Sequence, residues 1–334
     1  MHLAASNRGK NGVIISVIIP CYNAGDAIVT CLNAVEKAAE GLPVEIIVVD
    51  SSDDETKALL EKRDNIILIR SEKRLFPGEA RNVGAELASG KILCFTDADC
   101  IPDKEWLREV LESRPHIIRA VVGGPLLNGT PTNIVGTAEY FSEFSAFLPG
   151  MGKKRVGFLP TANLAIGKED FLLAGGFKAL EKGSDVAFGK DCASKGIPVI
   201  FDPRIKVTHR NRTDLKQFLK NQERLARGAS QTRRSFRMRG SLVAKIPILW
   251  PFVPFARFLR ICLRSMIYGR DQRIGFLKSL PVILLGSFYY GKGFAQGALE
   301  KFHPKGTGKG CSYRQKIKQV SGHRDLKGSK FEQT

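Results

Sequence analysis

No Cys-x-x-Cys pair occurs anywhere in the chain, and its seven cysteines (Cys21, Cys31, Cys94, Cys100, Cys192, Cys262, Cys311) are scattered and odd in number. That excludes a disulfide framework and argues against a zinc site, leaving reduced thiols used mostly for packing in a cytosolic protein. No Gly-x-Gly-x-x-Gly or Gly-x4-Gly-Lys-Ser/Thr stretch falls at a strand-to-helix turn, so a dinucleotide fingerprint and a P-loop are both disfavoured. The first twelve residues hold no apolar core of the length a secretory signal needs, and a cleaved leader is not expected. Nor do aromatic and basic residues interleave on a strand face to stack bases, which makes nucleic acid a poor partner.

What is present is enough apolar residue, 43% of 334, to build one large or two ordinary domains. Charge is unevenly divided. Residues 1–200 carry 23 Lys and Arg against 26 Asp and Glu, whereas residues 201–334 carry 29 against 7. A near-neutral half followed by a strongly basic one points the second half at an anionic surface, with lipid headgroups the favoured partner.

The chain opens with a β-branched run, Val13 to Pro20, suited to a buried parallel strand. A loop Cys21 to Asp26, a helix from Ala27 to about Glu40, a strand Val44 to Val49, a short helix Glu55 to Lys62 and a strand Ile66 to Ile69 follow. Strand and helix alternating at this spacing predict right-handed crossovers and a doubly wound sheet. A small-sided helix from Pro77, carrying Gly78, Ala80, Gly84 and Ala85, lets its backbone lie close to that sheet and turns Arg81 and Asn82 toward the strand ends.

The centre of the pattern is Lys91 to Asp103. A buried strand, Ile92 to Thr96, runs directly into Asp97-Ala98-Asp99. Acids that follow an apolar strand at once lie at the carboxyl edge of the sheet, where open α/β sheets bind ligands. Two carboxylates there suit Mg²⁺ or Mn²⁺, which prefer hard oxygen and keep positions open for phosphate oxygens.

Beyond this centre, a strand is expected over Ile117 to Val122 and an amphipathic helix from about Asn133 to Phe147. The Gly- and Lys-rich stretch Gly150 to Gly157 reads as a mobile loop able to close over donor phosphates. An edge strand Pro198 to Phe201 and a basic amphipathic helix from Asp214 to about Arg239 come next. Ile246 to Leu263 is apolar and aromatic but interrupted by Arg257 and Arg260 and bent by Pro247, Pro251 and Pro254, as an interfacial helix would be. Leu280 to Leu299 approaches spanning length despite Lys292 and its glycines. Arg264, Arg270, Arg273, Lys278 and Lys301 flank both pieces and favour an anionic cytoplasmic leaflet. The tail from residue 304 is polar, basic and expected to be disordered.

Three stretches in order, Val17 to Asp26, Val44 to Thr56 and Pro77 to Cys100, together resemble the nucleotide-sugar half of glycosyltransferase family 2. The resemblance implies an α/β fold: a Rossmann-like GT-A domain with a mixed, mainly parallel sheet, here followed by carboxyl-terminal amphipathic and hydrophobic helices. It implies a division into an extension 1–12, a transferase domain 13–240, a membrane-associating region 241–303 and a tail 304–334. It places Pro20, Tyr22 and Asp50 at the base and ribose of a UDP- or GDP-linked donor, and puts Arg81 and Ala98 in the donor site. Asp97 and Asp99 face the diphosphate with Mn²⁺ or Mg²⁺, and His209 is a further metal or phosphate contact. Asn163, Gly175, Gly176 and Asp97 would hold the sugar. Asp185, following the Gly-Gly-Phe turn, takes the place of the general base that gives inversion. Two departures stand out: Ser184 replaces the usual Glu before Asp185, and Gln222 to Arg227 lack the Trp of the family's Gln-x-x-Arg-Trp signature, which argues against a processive polymerase. Arg224 or Arg227 remains a candidate partner for the diphosphate. The implied activity is metal-dependent inverting transfer to a hydroxyl of a lipid-linked or membrane-held acceptor, on the cytoplasmic side of the membrane. The rivals are an inactive transferase-like scaffold that binds anionic lipid or nucleic acid, supported by the basic second half, and a nucleotidyltransferase, opposed by the lack of Arg or Lys between Cys21 and Asp26.

Overall fold

A computed structural model describes residues 14–113, 119–235 and 240–300. The extension 1–12, the first part of the strand expected at 117–122, the last residues of the helix expected to reach 239, and the tail 304–334 lie outside the described residues or run into them.

The first half alternates as its pattern predicts: β1 (Ile15–Cys21), α1 (Asp26–Ala38), β2 (Val44–Asp50), α2 (Thr56–Glu61), β3 (Ile67–Arg70), α3 (Pro77–Leu87) and β4 (Ile92–Phe95). Then come β5 (Cys100–Pro102), α4 (Trp106–Ser113), β6 (Val121–Gly123), β7 (Leu126–Asn128), α5 (Ile134–Phe144), β8 (Lys154–Val156) and β9 (Leu164–Gly167). The rest is α6 (Lys168–Ala174), α7 (Ser184–Ser194), β10 (Val199–Phe201), β11 (Val207–His209), α8 (Leu215–Ser235), α9 (Ser241–Lys245), α10 (Val253–Tyr268) and α11 (Arg273–Leu299).

An eight-stranded sheet runs β3-β2-β1-β4-β9-β6-β10-β8. β1 pairs in parallel with β2 and β4, and β2 with β3; β9 is antiparallel to β4 and to β6, so the sheet is mixed but mainly parallel. The β-branched residues of β1 and β2 are buried because helices cover both faces. Gly84 lets α3 lie directly on β1: a Cβ there would sit 2.5 Å from Ile18 Cγ2. Register brings Cys21 opposite Asp50 and Ile18 opposite Phe95, so β1, β2 and β4 end on one edge. A small second sheet, β5-β11-β7, stands beyond it and aligns His209 with Cys100 and Asn128.

Several sequence expectations are corrected here. The stretch 150–157, expected as a mobile loop, instead contains β8 at 154–156, the sheet edge, antiparallel to β10, with Lys153 Nζ 3.0 Å from buried Asp202. The strand expected at the edge, β10, therefore lies inside, between β6 and β8. α5 also stops at Phe144, short of Phe147.

The carboxyl-terminal helices are not a separate layer. Ile261, Phe276 and Ile283 join the same hydrophobic core as the sheet. α11 is the one described helix long and apolar enough to cross a membrane, with a mean hydropathy of 1.3 over its most apolar window, yet it lies along α8 and α5. Small residues make this possible: Gly286 abuts the Phe218 ring, and at Gly293 a Cβ would meet Glu223 O at 2.1 Å. α10 returns antiparallel beside it, with Gly291 against Pro254 and Phe255 edge-on to Phe288 at 5.4 Å. Replacing Gly293 by Val is expected to push α11 off α8 and to cost roughly 1–3 kcal/mol in urea unfolding, as overpacking does; unchanged stability would contradict this close packing.

Candidate functional site

The shared strand edge opens into a cleft of about 410 Å³ lined by Pro20, Tyr22, Ser51, Arg81, Asp97 and Asp99, with Ala98 and Arg212 completing it. Tyr22 is 37% exposed and carries the Arg74 guanidinium 4.3 Å over its ring, leaving a planar surface of the kind a nucleobase stacks on. The loop behind it is fixed by a reciprocal clasp: Asn23 Nδ2 donates to Asp53 Oδ1 at 2.6 Å, and the Asp53 amide donates to Asn23 Oδ1 at 3.0 Å. Asn23 adopts positive φ, which asparagine tolerates.

Asp50, expected at the nucleoside, sits beneath this cleft and is only 1% exposed. Its Oδ1 accepts from the Ser52 amide at 3.1 Å and hydroxyl at 2.5 Å, and Arg70 Nη1 lies 2.7 Å from Oδ2. Both oxygens are spent on holding the loop, and Ser51 is the residue that reaches the cleft.

The two acids after β4 differ in their partners. Asp97 is bound by Arg81 Nη2, while Arg81 Nε is buried with no partner. Asp99 faces the other way, with Oδ2 3.6 Å from His209 Nε2. The Asn211 amide donates through Nδ2 to Asn128 Oδ1 at 2.8 Å, so its own Oδ1, 2.9 Å from His209 Nδ1, accepts. That puts a proton on Nδ1 and turns Nε2 toward Asp99, the orientation a metal-ligating histidine is usually given. Burial works against the charged ring, yet the Asp99 carboxylate and its neighbours raise the His209 pKa on balance. Donor atoms of Asp99, Cys100 and His209 all lie within 4.8 Å of one another. The Cys100 thiol is held protonated by burial, well above its usual value, and so leaves a carboxylate and an imidazole as ligands. That donor set fits Mn²⁺ or Mg²⁺ with several positions left for phosphate oxygens.

A second cleft, of about 370 Å³, contains Asp185 together with Glu143, Lys182, Arg257, Arg260 and Arg264. Asp185 lies in the first turn of α7, where Oδ1 accepts from the Val186 amide at 2.8 Å. Burial raises its pKa, and the nearby Arg81 cation partly opposes this. The start of α7 is pressed against the start of α3: a Cβ on Gly78 would lie 2.8 Å from Ser184 Oγ. Arg81, on the same helix, lines the first cleft and is near enough to Asp185 for its charge to act there. Glu143 is pushed up to about 7 by burial and by neighbouring Glu139.

Known proteins share this chain's sequence pattern and fold. The sequence profile described as Glycosyl transferase family 2 matches residues 16–126. Glycosyltransferase AglE of Haloferax volcanii is 30% identical over 65% of this chain and 73% of its own length. The chain belongs to glycosyl transferase family 2. Amylovoran biosynthesis glycosyltransferase AmsB of Erwinia amylovora is 28% identical over 47% of this chain and 56% of its own. Among solved structures, the mannosyltransferase PcManGT from Pyrobaculum calidifontis, in complex with GDP-Man and Mn²⁺, superposes with a TM-score of 0.58 at 17% identity, covering 86% of this chain and 88% of that one. That likeness supports the GT-A fold.

Within this family 2 chain, the residues expected at the sugar are dispersed. Asn163 is fully buried, lines neither cleft, and spends its amide inside the core: Nδ2 donates to Pro125 O and Ile205 O, and Oδ1 accepts from Trp106 Nε1 at 3.0 Å. Gly175 and Gly176 form a left-handed turn whose following residue, Phe177, is clasped through both backbone groups by Asn82. That turn braces α3 and lines neither of the two clefts. Arg224 and Arg227 line neither cleft and are ion-paired to Glu181 and Glu300. Sequence reasoning missed Arg212, which lines the Asp97 and Asp99 cleft while holding fully buried Glu139, and missed Glu143 in the Asp185 cleft. Arg212 lies three residues past His209, and only that proximity could have flagged it.

Asn163→Ala is expected to cost roughly 2–4 kcal/mol of stability, since it orphans buried partners, and to leave nucleotide affinity unchanged in calorimetry. Glu143 gives a pH signature. Its folded-state pKa exceeds the unfolded value of about 4.5, so its contribution to stability is present below that value and is lost as pH rises through 7. Glu143→Gln should therefore gain in melting temperature relative to the parent between pH 5 and pH 8; an unchanged difference would refute the buried-acid assignment.

Proposed function

We propose that this family 2 glycosyltransferase is metal-dependent and inverting, moving a sugar from a UDP- or GDP-linked donor to a hydroxyl of a lipid-linked or otherwise membrane-held acceptor. The observation that carries this reading is a pair of clefts, one lined by Arg81, Asp97 and Asp99 and the other by Asp185, with the Arg81 charge felt at Asp185. Tyr22 and Ser51 would receive the nucleoside, and Asp99 with His209 would hold Mn²⁺ or Mg²⁺. A cation there supplies Lewis-acid charge to the departing diphosphate. Arg81 fixes Asp97 and keeps one unspent N–H beside the donor.

Asp185 takes the proton from the acceptor hydroxyl. A bond forms from that oxygen to the anomeric carbon as the bond from carbon to the diphosphate oxygen breaks, so a single displacement inverts the centre. A base with a raised pKa is better matched to neutral pH than an ordinary carboxylate. Membrane contact is supported by the outer face of the helical hairpin, where Phe252, Phe255, Leu259, Leu263 and Ile274 are all more than half exposed. Arg270, Arg273 and Lys278 lie beside them, the composition of an interfacial helix on anionic lipid. This reading keeps the protein on the cytoplasmic leaflet, resting on the surface with α11 docked to its own domain.

Donor hydrolysis measured with a panel of UDP- and GDP-sugars should require Mn²⁺ or Mg²⁺ and be abolished by EDTA; turnover independent of metal would overturn the cation's role. Asp99→Asn should lose metal affinity in titration calorimetry. Asp185→Asn should lower kcat by about 10²–10⁴, and the parent's acid limb of kcat/KM should lie above the ~3.9 of a free aspartate, because the base must be ionised. A scaffold without activity would give no turnover with any donor.

A further inference from the structure

Cations crowd the Asp185 cleft without the acids that would neutralise them. Lys182, Arg233, Arg257, Arg260 and Arg264 line it, against Glu143 and Asp185. Arg257, Arg260 and Arg264 recur at a helical spacing that puts all three on one face of α10. Among the described residues, none of these three arginines forms an ion pair with a carboxylate. Burial holds Arg257 down to about 10, with adjacent Arg260 adding to the effect, and the same two causes lower Arg264. Such mutual repulsion is costly to maintain unless an anion comes to relieve it.

Arg257 is held as a binding group is held. Its guanidinium lies 3.8 Å from the Tyr290 ring centroid, and Nη2 donates to Ser142 O at 2.9 Å and Gln222 Oε1 at 2.6 Å. Nη1, equally buried, has no partner. Gln222 is itself fully buried, so one edge of the guanidinium is locked while the other keeps an unused donor. The opposite side of the same helix presents Phe255, Leu259, Leu263 and Met266 to solvent. A ligand that satisfies both features carries an anionic head and an apolar tail.

We infer that the α10 arginines form a phosphate-binding subsite for the acceptor, holding the phosphate or diphosphate of a lipid-linked saccharide so that a hydroxyl of its sugar faces Asp185. This deepens the transferase reading and rests on it. Arg257 supplies the fixed donor and Arg260 and Arg264 supply mobile charge, while the apolar stripe of α10 takes the first part of the chain at the membrane surface. The lipid-phosphate linkage would explain why the exposed apolar face and the cationic cleft occur on one helix.

The test is binding of farnesyl diphosphate, farnesol and inorganic pyrophosphate to the full chain, measured by calorimetry with EDTA present to disfavour the donor diphosphate site. Farnesyl diphosphate is expected to bind at least about tenfold more tightly than either of the others, a gap of about 1.4 kcal/mol. The double variant Arg260→Ala/Arg264→Ala should lose at least about tenfold. These side chains are exposed or half-buried, so the variant should melt within about 2 °C of the parent; Arg260→Gln/Arg264→Gln serves as a second pair should it not. Farnesol binding as well as the diphosphate would overturn the phosphate subsite, pyrophosphate binding as well as the lipid would overturn the lipid acceptor, and retained affinity in folded variants would overturn the assignment to α10. Metal-dependent donor hydrolysis by the parent, run alongside, separates a failure of this subsite from a failure of the transferase reading: hydrolysis without prenyl binding sinks only the former.

Discussion

The contact between buried Arg81 and half-buried Asp97 is the interaction on which the arrangement of the strand edge depends. Arg81 is 4% exposed on α3, a helix that reaches the sheet only because Gly84 and its small neighbours let it lie on β1. Moving so large a cation out of water is expensive, and the Asp97 carboxylate at the end of β4 offsets much of that cost. The pair in turn fixes where α3 begins, and through Gly78 against Ser184 it fixes where α7 presents Asp185. Asp97 and Asp185, acids of two different clefts, thus both feel one guanidinium, although 88 residues separate them in the chain.

The second sheet performs a parallel task for Asp99. β11 lies between β5 and β7, so Cys100 and Asn128 flank His209, and the Asn128–Asn211–His209 chain of hydrogen bonds sets the ring's tautomer. Neighbouring acids therefore meet different chemistry: Asp97 is committed to an arginine and Asp99 to an imidazole. One carboxylate organises the protein while the other remains available to a cation.

The carboxyl-terminal helices combine two roles usually given to separate parts. Glycines on α11 allow close contact with α8, so the helix contributes to the core with one side and offers lipid-compatible residues with another. α10, antiparallel to it, carries arginines into the Asp185 cleft and apolar residues outward. One hairpin thus carries both an exposed apolar face and part of the lining of the Asp185 cleft.

Local patterns settled the alternating first half, the strand edge that Pro20, Tyr22, Asp97, Ala98 and Asp99 share, and the basic, apolar character of the second half. They did so because strand and helix periodicity, and acids that follow an apolar strand at once, are written in consecutive residues. Contacts between distant segments decided the remainder. Asn163 became a core brace because Trp106, Pro125 and Ile205 converge on its amide, and Asp50 was drawn beneath the cleft by Arg70 and Ser52. Residues 154–156 became a strand because β10 offered an open edge. Arg212, Glu143 and the α10 arginines acquired a place only when α5, α8, α10 and α11 packed together, since which side of a helix meets a cleft depends on its neighbours and not on its own spacing.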